Sequence, residues 1–233
     1  MQEYLPQASS YAGEIDWLFW VITSIVGFWF VVAQTVFFWF VISSRRQPGK
    51  KAGYYQGKTK EEKKWITIPH ILIILCDIVL VAGAIKVWNQ VKIDMPEADS
   101  TIRITARQWA WIFQHPGPDN KLDTGDDIIT TDELRIQNGL TYHFELTAED
   151  VIHSLSIPAF RLKQDAVPGR NIKGWFKPIM TGEFDIQCAE MCGLGHGLMP
   201  AKLIVEDQQG HTSWMQGNAK PEPALDVKIL ANK

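Results

Sequence analysis

Twelve residues carry most of the chemistry this sequence can offer: Cys188-Ala-Glu-Met-Cys-Gly-Leu-Gly-His-Gly-Leu-Met199. Two thiols, an imidazole and a thioether fall in the pattern C-x-E-x-C-x3-H-x2-M. Soft sulfur ligands with imidazole favour copper, and a thiolate with histidine and a weak methionine suits copper that moves electrons. A mononuclear site of that kind needs one cysteine. Here two flank Glu190, so both could bridge a pair of coppers. A second imidazole must then come from elsewhere in the chain, and His153 is the candidate. Gly193, Gly195 and Gly197 let the backbone bend as a loop around metal must. Two blander uses of the cysteines stay open. A disulfide is one, although bridges over so short a loop are geometrically demanding, and it leaves Glu190, His196 and Met199 without a role. Zinc is the other, and methionine is a poor zinc ligand.

The loop resembles the binuclear copper (CuA) loop of cytochrome c oxidase subunit II, and the likeness extends from about Asp16 to Glu206. Asp150-Val-Ile-His-Ser-Leu-Ser-Ile-Pro158 resembles the family's first-histidine strand. Lys163-Gln-Asp-Ala-Val-Pro-Gly-Arg170 resembles its K-x-D-x-x-P-G-R segment, and Gln108-Trp-Ala-Trp111 its aromatic patch. The resemblance implies that His153, Cys188, Cys192, His196 and Met199 ligate two copper ions, with the Glu190 carbonyl as a further ligand. It implies that the Glu190 carboxylate binds Mg2+ where the chain meets subunit I, and that Asp165 and Arg170 lie at that interface. Trp109 becomes the point of electron input and Asp150 part of the donor's docking surface. Glu62 resembles the glutamate of the family's E-x-x-W-T-x-x-P, which opens a proton pathway; Ile66 stands here where that motif has threonine, and Glu61 competes for the role.

The implied function is electron input to a terminal haem–copper oxidase. Electrons come from cytochrome c, free or membrane-bound, and pass to the haem and copper of subunit I, where O2 is reduced to water. The chain itself holds no catalytic residues. The alternative is the copper subunit of a haem–copper nitric-oxide reductase. A labile copper carrier fits five protein ligands poorly. A quinol-oxidase subunit would lack these ligands, and nitrous-oxide reductase needs a second copper domain for which 233 residues leave no room.

Something must hold this loop, and the rest of the sequence describes what. Residues 1–16 form a polar, acidic start with Glu3, Glu14 and Asp16. A first transmembrane helix is expected over 17–44, uncharged from Leu18 to Ser44 and edged by Trp17 and Trp39. A basic loop over 45–64 follows, and such loops stay cytoplasmic. A second span over 65–88 contains Pro69, His70 and Asp77. Lys63, His70 and Asp77 recur every seven residues and share one helical face, suited to a membrane partner or, for Asp77, a proton path. Both termini and the outer domain then face the periplasm, with the chain in the inner membrane.

After a connector over 89–100, residues 101–206 read as short strands between turn residues: Thr101–Ala106, Gln108–Gln114, Ile128–Ile129, Glu133–Ile136, Thr141–Thr147, Ile152–Ile157, Ile172–Phe176, Glu183–Cys188 and Ala201–Val205. Many short strands argue an all-β sandwich or barrel, and the family's fold is a Greek-key cupredoxin barrel. Trp109 and Trp111 are expected on one face of a strand. The aspartates in 116–127 form an acidic turn with a hint of Ca2+ binding, although their spacing does not match an EF-hand. The tail over 207–233, with Trp214, Pro221 and Pro223, is expected to end in a short helix. A net charge of −3 points to no nucleic-acid partner, and three cysteines make no disulfide framework.

Overall fold

A computed structural model describes residues 5–51 and 53–219; Glu3, Pro221 and Pro223 lie outside them. The chain divides into two compact units. Of the described residues, one unit joins 5–13 to 91–219, and the other lies within Glu14–Gln90.

The second unit is a helical hairpin. Helix α1 (Ala12–Ser43) starts earlier than expected, because Glu14 fits the first turn, where the helix dipole favours negative charge. Helix α2 (Lys60–Trp88) also starts early. Thr59 and Glu62 form a capping box: Glu62 N donates to Thr59 Oγ1 at 3.2 Å and Thr59 N to Glu62 Oε2 at 3.3 Å. The expected loop over 45–64 therefore ends at Thr59, and Lys60–Lys64 are helical. Pro69 sits inside α2 without ending it, and a wide π-turn, Asn89–Ile93, carries the coil beyond Trp88 into the expected connector. The helices meet where Trp29 Nε1 donates to Cys76 Sγ at 3.3 Å and where Gly83 lets Leu18 approach. Both are long and apolar enough to cross a membrane.

The first unit is a sandwich of ten strands: β1 (Ser100–Arg107), β2 (Ala110–His115), β3 (Ile128–Thr131), β4 (Glu133–Gln137), β5 (Tyr142–Ala148), β6 (His153–Ile157), β7 (Leu162–Ala166), β8 (Ile172–Phe176), β9 (Gly182–Cys188) and β10 (Ala201–Glu206). One sheet has the order β3-β2-β1-β5-β8 and the other β4-β10-β9-β6-β7. The β1–β5 and β4–β10 pairs are parallel and the rest antiparallel. This is the Greek-key cupredoxin architecture. Alternation drives it: Ile102, Ile104 and Ala106 of β1, Phe144 and Leu146 of β5, and Leu203 and Val205 of β10 are buried while their neighbours are not. Each large apolar side chain so buried contributes about 1.5–3 kcal/mol. Gly174 pairs with Phe144 across β8 and β5, and a Cβ there would lie 2.3 Å from the Phe144 ring.

The strands differ from expectation in two places. Strand β7 was not anticipated: only its ends, Leu162 and Ala166, are buried, and Lys163-Gln-Asp165 between them breaks the apolar alternation. Strand β2 begins at Ala110, because Arg107 pairs with Ala110 and the chain turns through Gln108 and Trp109. Trp109 and Trp111 therefore do not share a strand face. Trp111 is buried in the core, whereas Trp109 is 41% exposed.

Three further pieces complete the unit. In the acidic turn, the carboxylates serve the loop itself: Asp123 pairs with Arg103 at 2.6 Å, Asp126 accepts from Thr124 Oγ1 at 2.6 Å and Asp127 from Asp123 N at 2.8 Å. Helix α3 (Gln208–Asn218), capped by Asp207, opens the tail; the helix expected at the tail's end falls outside the described residues. Its Trp214 packs against His115, His211 and Arg135. Finally, residues 5–12 form a strap along the sandwich. Ala8 N donates to Ala159 O, Ile179 N donates to Ala8 O, Ser9 Oγ donates to Phe160 O, and Ala8, Tyr11 and Ala12 are fully buried.

Candidate metal centre

Strand β9 ends at Cys188 and β6 begins at His153. The two strands are antiparallel neighbours, with Leu155 opposite Cys188. This pairing brings the distant histidine to the loop: His153 Nδ1 lies 3.9 Å from Cys188 Sγ. The loop then leaves the sheet, held at its start by Ala189 N donating to Ser154 O, and returns as β10.

Within the loop, Cys188 Sγ and Cys192 Sγ are 3.8 Å apart, well beyond the ~2.05 Å of a disulfide bond. Both thiols are free. Cys192 Sγ is 3.6 Å from His196 Nδ1 and 3.4 Å from Met199 Sδ. Cys188 Sγ is 3.3 Å from the Glu190 carbonyl oxygen. Three expected side chains, His153, His196 and Met199, and the carbonyl thus surround a sulfur pair. His153, Cys192 and Met199 are buried, and the Glu190 side chain is exposed. Burial, with Cys188 beside it, pushes the Cys192 thiol up to about 11. His153, Cys188 and Cys192 place ligand atoms within 4.8 Å of one another. Two sulfurs, two imidazole nitrogens, a thioether and a carbonyl form a soft donor set that fits copper.

Asp150 does more than sequence reasoning assigned to it. Its Oδ1 lies 3.0 Å from His153 Nε2, which leaves Nδ1 facing the sulfurs. The same carboxylate accepts from Gln108 N and Val151 N, both at 2.7 Å. Burial opposes its charge, but these hydrogen bonds, His153 first, hold it below the usual carboxylate range. Such a carboxylate fixes both the tautomer and the direction of a ligating ring. The D-x-x-H spacing was the available signal. Trp111 and Gln108 were also missed as supports: Trp111 Nε1 donates to Met199 O at 3.2 Å and Gln108 Nε2 to Cys192 O at 2.8 Å.

Trp109 lies flat on the loop. Its Nε1 donates to Cys192 O at 3.3 Å, and a Cβ on Gly195 would come within 2.3 Å of its ring. Gly193, at φ +115°, has a backbone that favours glycine. Leu194 and Leu198 beside it are almost fully exposed.

The remaining expected residues lie apart from the sulfur pair. Asp165 is opposite Ser154 and accepts its hydroxyl at 2.8 Å. Arg170 is exposed in the turn after β7. Glu62 belongs to the hairpin unit, where its carboxylate caps α2.

Residues 100–207 match the family model described as cytochrome c oxidase subunit II, periplasmic domain. The chain is 29% identical over 224 residues to the alternative cytochrome c oxidase subunit 2 of Bradyrhizobium diazoefficiens, covering 87% of this chain and 78% of that one. It is 29% identical over 234 residues to a probable cytochrome c oxidase subunit 2 of Rickettsia bellii, covering 93% and 84%. Among solved structures, it is similar to the periplasmic domain of subunit II of cytochrome oxidase from Bradyrhizobium japonicum, at 32% identity and a TM-score of 0.48, covering 53% of this chain and 96% of that domain.

Proposed function

Since the chain belongs to the cytochrome c oxidase subunit II family, we propose that it is the electron-input subunit of a terminal haem–copper oxidase and carries a binuclear copper centre. One observation carries this reading: two free cysteine sulfurs 3.8 Å apart, ringed by two histidine nitrogens, a thioether and a carbonyl. His153, Cys188, Cys192, His196, Met199 and the Glu190 carbonyl would hold two copper ions. When bound, the pair supplies one-electron storage shared between two metals.

The chain's own residues prepare that site. Asp150 fixes the His153 ring, and the β6–β9 ladder fixes its distance from Cys188. Trp111 and the buried face of the loop keep water from the sulfur of Cys192. A site held this stiffly changes little as charge comes and goes, which is the protein's share of such chemistry. Trp109, part exposed and hydrogen-bonded to Cys192 O, is where a donor cytochrome c makes contact. Electrons then leave for the haem and copper of subunit I, where O2 is reduced.

Glu190 exposes its side chain, in keeping with an Mg2+ site shared with subunit I. Asp165 and Arg170 belong to that interface. Glu62 has a capping role that needs no proton pathway; a pathway through it remains a second use of the same carboxylate. The hairpin lies in the cytoplasmic membrane, with the sandwich on the periplasmic side. The buried strap before α1 supports an N-terminus on that side too. The relatives reported above are all named for cytochrome c oxidase, so nitric-oxide reduction gains no support from them.

The test is copper stoichiometry with electron paramagnetic resonance on the full chain purified with its partners. With the copper of subunit I counted, about three coppers per complex and a mixed-valence spectrum are expected. Two coppers or fewer, without that spectrum, refute the assignment.

A further inference from the structure

Asp77 stands near the middle of α2, and nothing in the hairpin accounts for it. Its side chain is exposed, and its neighbours Ile73, Ile74, Ile78 and Val81 are each more than half exposed. Among the described residues none pairs with its carboxylate. The side of α2 that meets α1 is marked by partial or full burial at Cys76, Leu80, Gly83 and Val87, and by the contacts of Cys76 with Trp29 and Gly83 with Leu18. At about 100° per residue, Asp77 lies roughly 90° round the helix from that side. Helix α1 is therefore not its partner. His70, one heptad earlier, shares the Asp77 face; its Nδ1 is bonded to Ile66 O at 2.7 Å.

Ionisable groups at membrane depth face protein or water rather than lipid, and they pair. A carboxylate is matched most fully by a cation. A second copy of this chain offers no lysine or arginine at that depth: Leu18–Ser44 is uncharged, and between Lys64 and Lys86 the only ionisable side chains besides Asp77 are His70 and Cys76. Lipid headgroup amines lie at the surface, half a bilayer away.

We propose that the Asp77 face of α2 docks a transmembrane helix of another oxidase subunit, and that this helix presents a lysine or arginine to the Asp77 carboxylate. The proposal rests on the membrane-spanning reading of α2 and on membership of an oxidase, but not on the copper site.

The test is photo-crosslinking within the full chain in its native membrane. The crosslinking residue replaces Ile74 or Val81, one turn to either side of Asp77, or Val79, which points across the helix. Capture of another subunit from 74 and 81, at least several-fold above 79, is expected. Asp77→Leu should cut that capture and the subunit's co-purification about tenfold or more, and Asp77→Glu should restore them. Capture of a second copy of this chain, of lipid alone, or equally from all three positions overturns the proposal, as does full retention in Asp77→Leu. The crosslinks in otherwise unaltered protein decide the matter even if Asp77→Leu fails to insert. Copper content measured on the same samples separates failure here from failure of the metal assignment.

Discussion

Asp150 Oδ1 sits 3.0 Å from His153 Nε2, and the other nitrogen of that ring faces Cys188 Sγ at 3.9 Å. One carboxylate thereby aims a ligand whose partners lie 35 residues away in sequence. Asp150→Asn keeps the shape but weakens the hold on the ring. Copper affinity should fall about 10–100-fold, read by copper retention against a competing chelator. A docking role for the same residue predicts a second effect. Electron delivery from cytochrome c should slow as ionic strength rises, and less so in the variant. Unchanged copper retention would leave Asp150 as a docking charge alone.

The sulfur pair makes a sharper forecast. Cys188→Ser or His196→Ala should abolish the mixed-valence resonance. Met199→Leu should shift the reduction potential more than it removes copper, since a weak thioether ligand tunes rather than holds the metal. Full spectral retention in Cys188→Ser would contradict the ligand set.

Gly195 is the floor on which Trp109 lies, with no room for a methyl group between them. Gly195→Ala should displace the indole while leaving the ligands in place. Reduction of the copper centre by cytochrome c, followed by rapid mixing, should slow on the order of tenfold or more, as misplaced reacting groups do. Trp109→Phe should behave alike. Reduction as fast as in the native protein in both variants would remove Trp109 from the electron path.

Acid should loosen the sandwich at its α3 end. His115 is 3% exposed, and burial first, then the nearby His211, pulls its pKa down to about 3. The unfolded chain binds that proton near pH 6.5. Stability is therefore whole above about 6.5 and is lost as the pH falls towards 3, at up to about 1.4 kcal/mol per pH unit. His211, lowered by its own burial, acts in the same sense. Thermal unfolding midpoints of the full chain across this window should fall, and His115→Gln should flatten the slope.

Tyr11 buries its ring edge-on against Trp175 at 5.2 Å, with its hydroxyl 3.3 Å from Trp175 O. Tyr11→Ala should cost about 3–5 kcal/mol, as large-to-small aromatic changes in cores do. Calorimetry on the full chain checks this; an unmoved transition would make the strap incidental.

The site was legible in the sequence because most of its ligands fall within twelve residues, and the strands because their apolar residues alternate. Three features escaped for physical reasons. Strand β7 has polar residues at its centre, so its ladder to β6 is invisible to a hydrophobic pattern. Trp109 looked like a strand residue because alternation continues through it, although the chain has already turned there. The strap carries almost no local signal, since Ala8, the Ser9 hydroxyl and Tyr11 bond to partners more than 140 residues away.

That last separation bears on how the protein is made. Ser9 leaves the ribosome long before Phe160, yet its hydroxyl waits for that residue, and Tyr11 waits for Trp175. Contacts so remote in sequence close late. The opening segment must stay extended and unpaired while both helices are inserted and most of the strands are exported. Completion of the sandwich thus waits for strand β8, and a nascent chain stalled before residue 175 should leave the strap open to proteases.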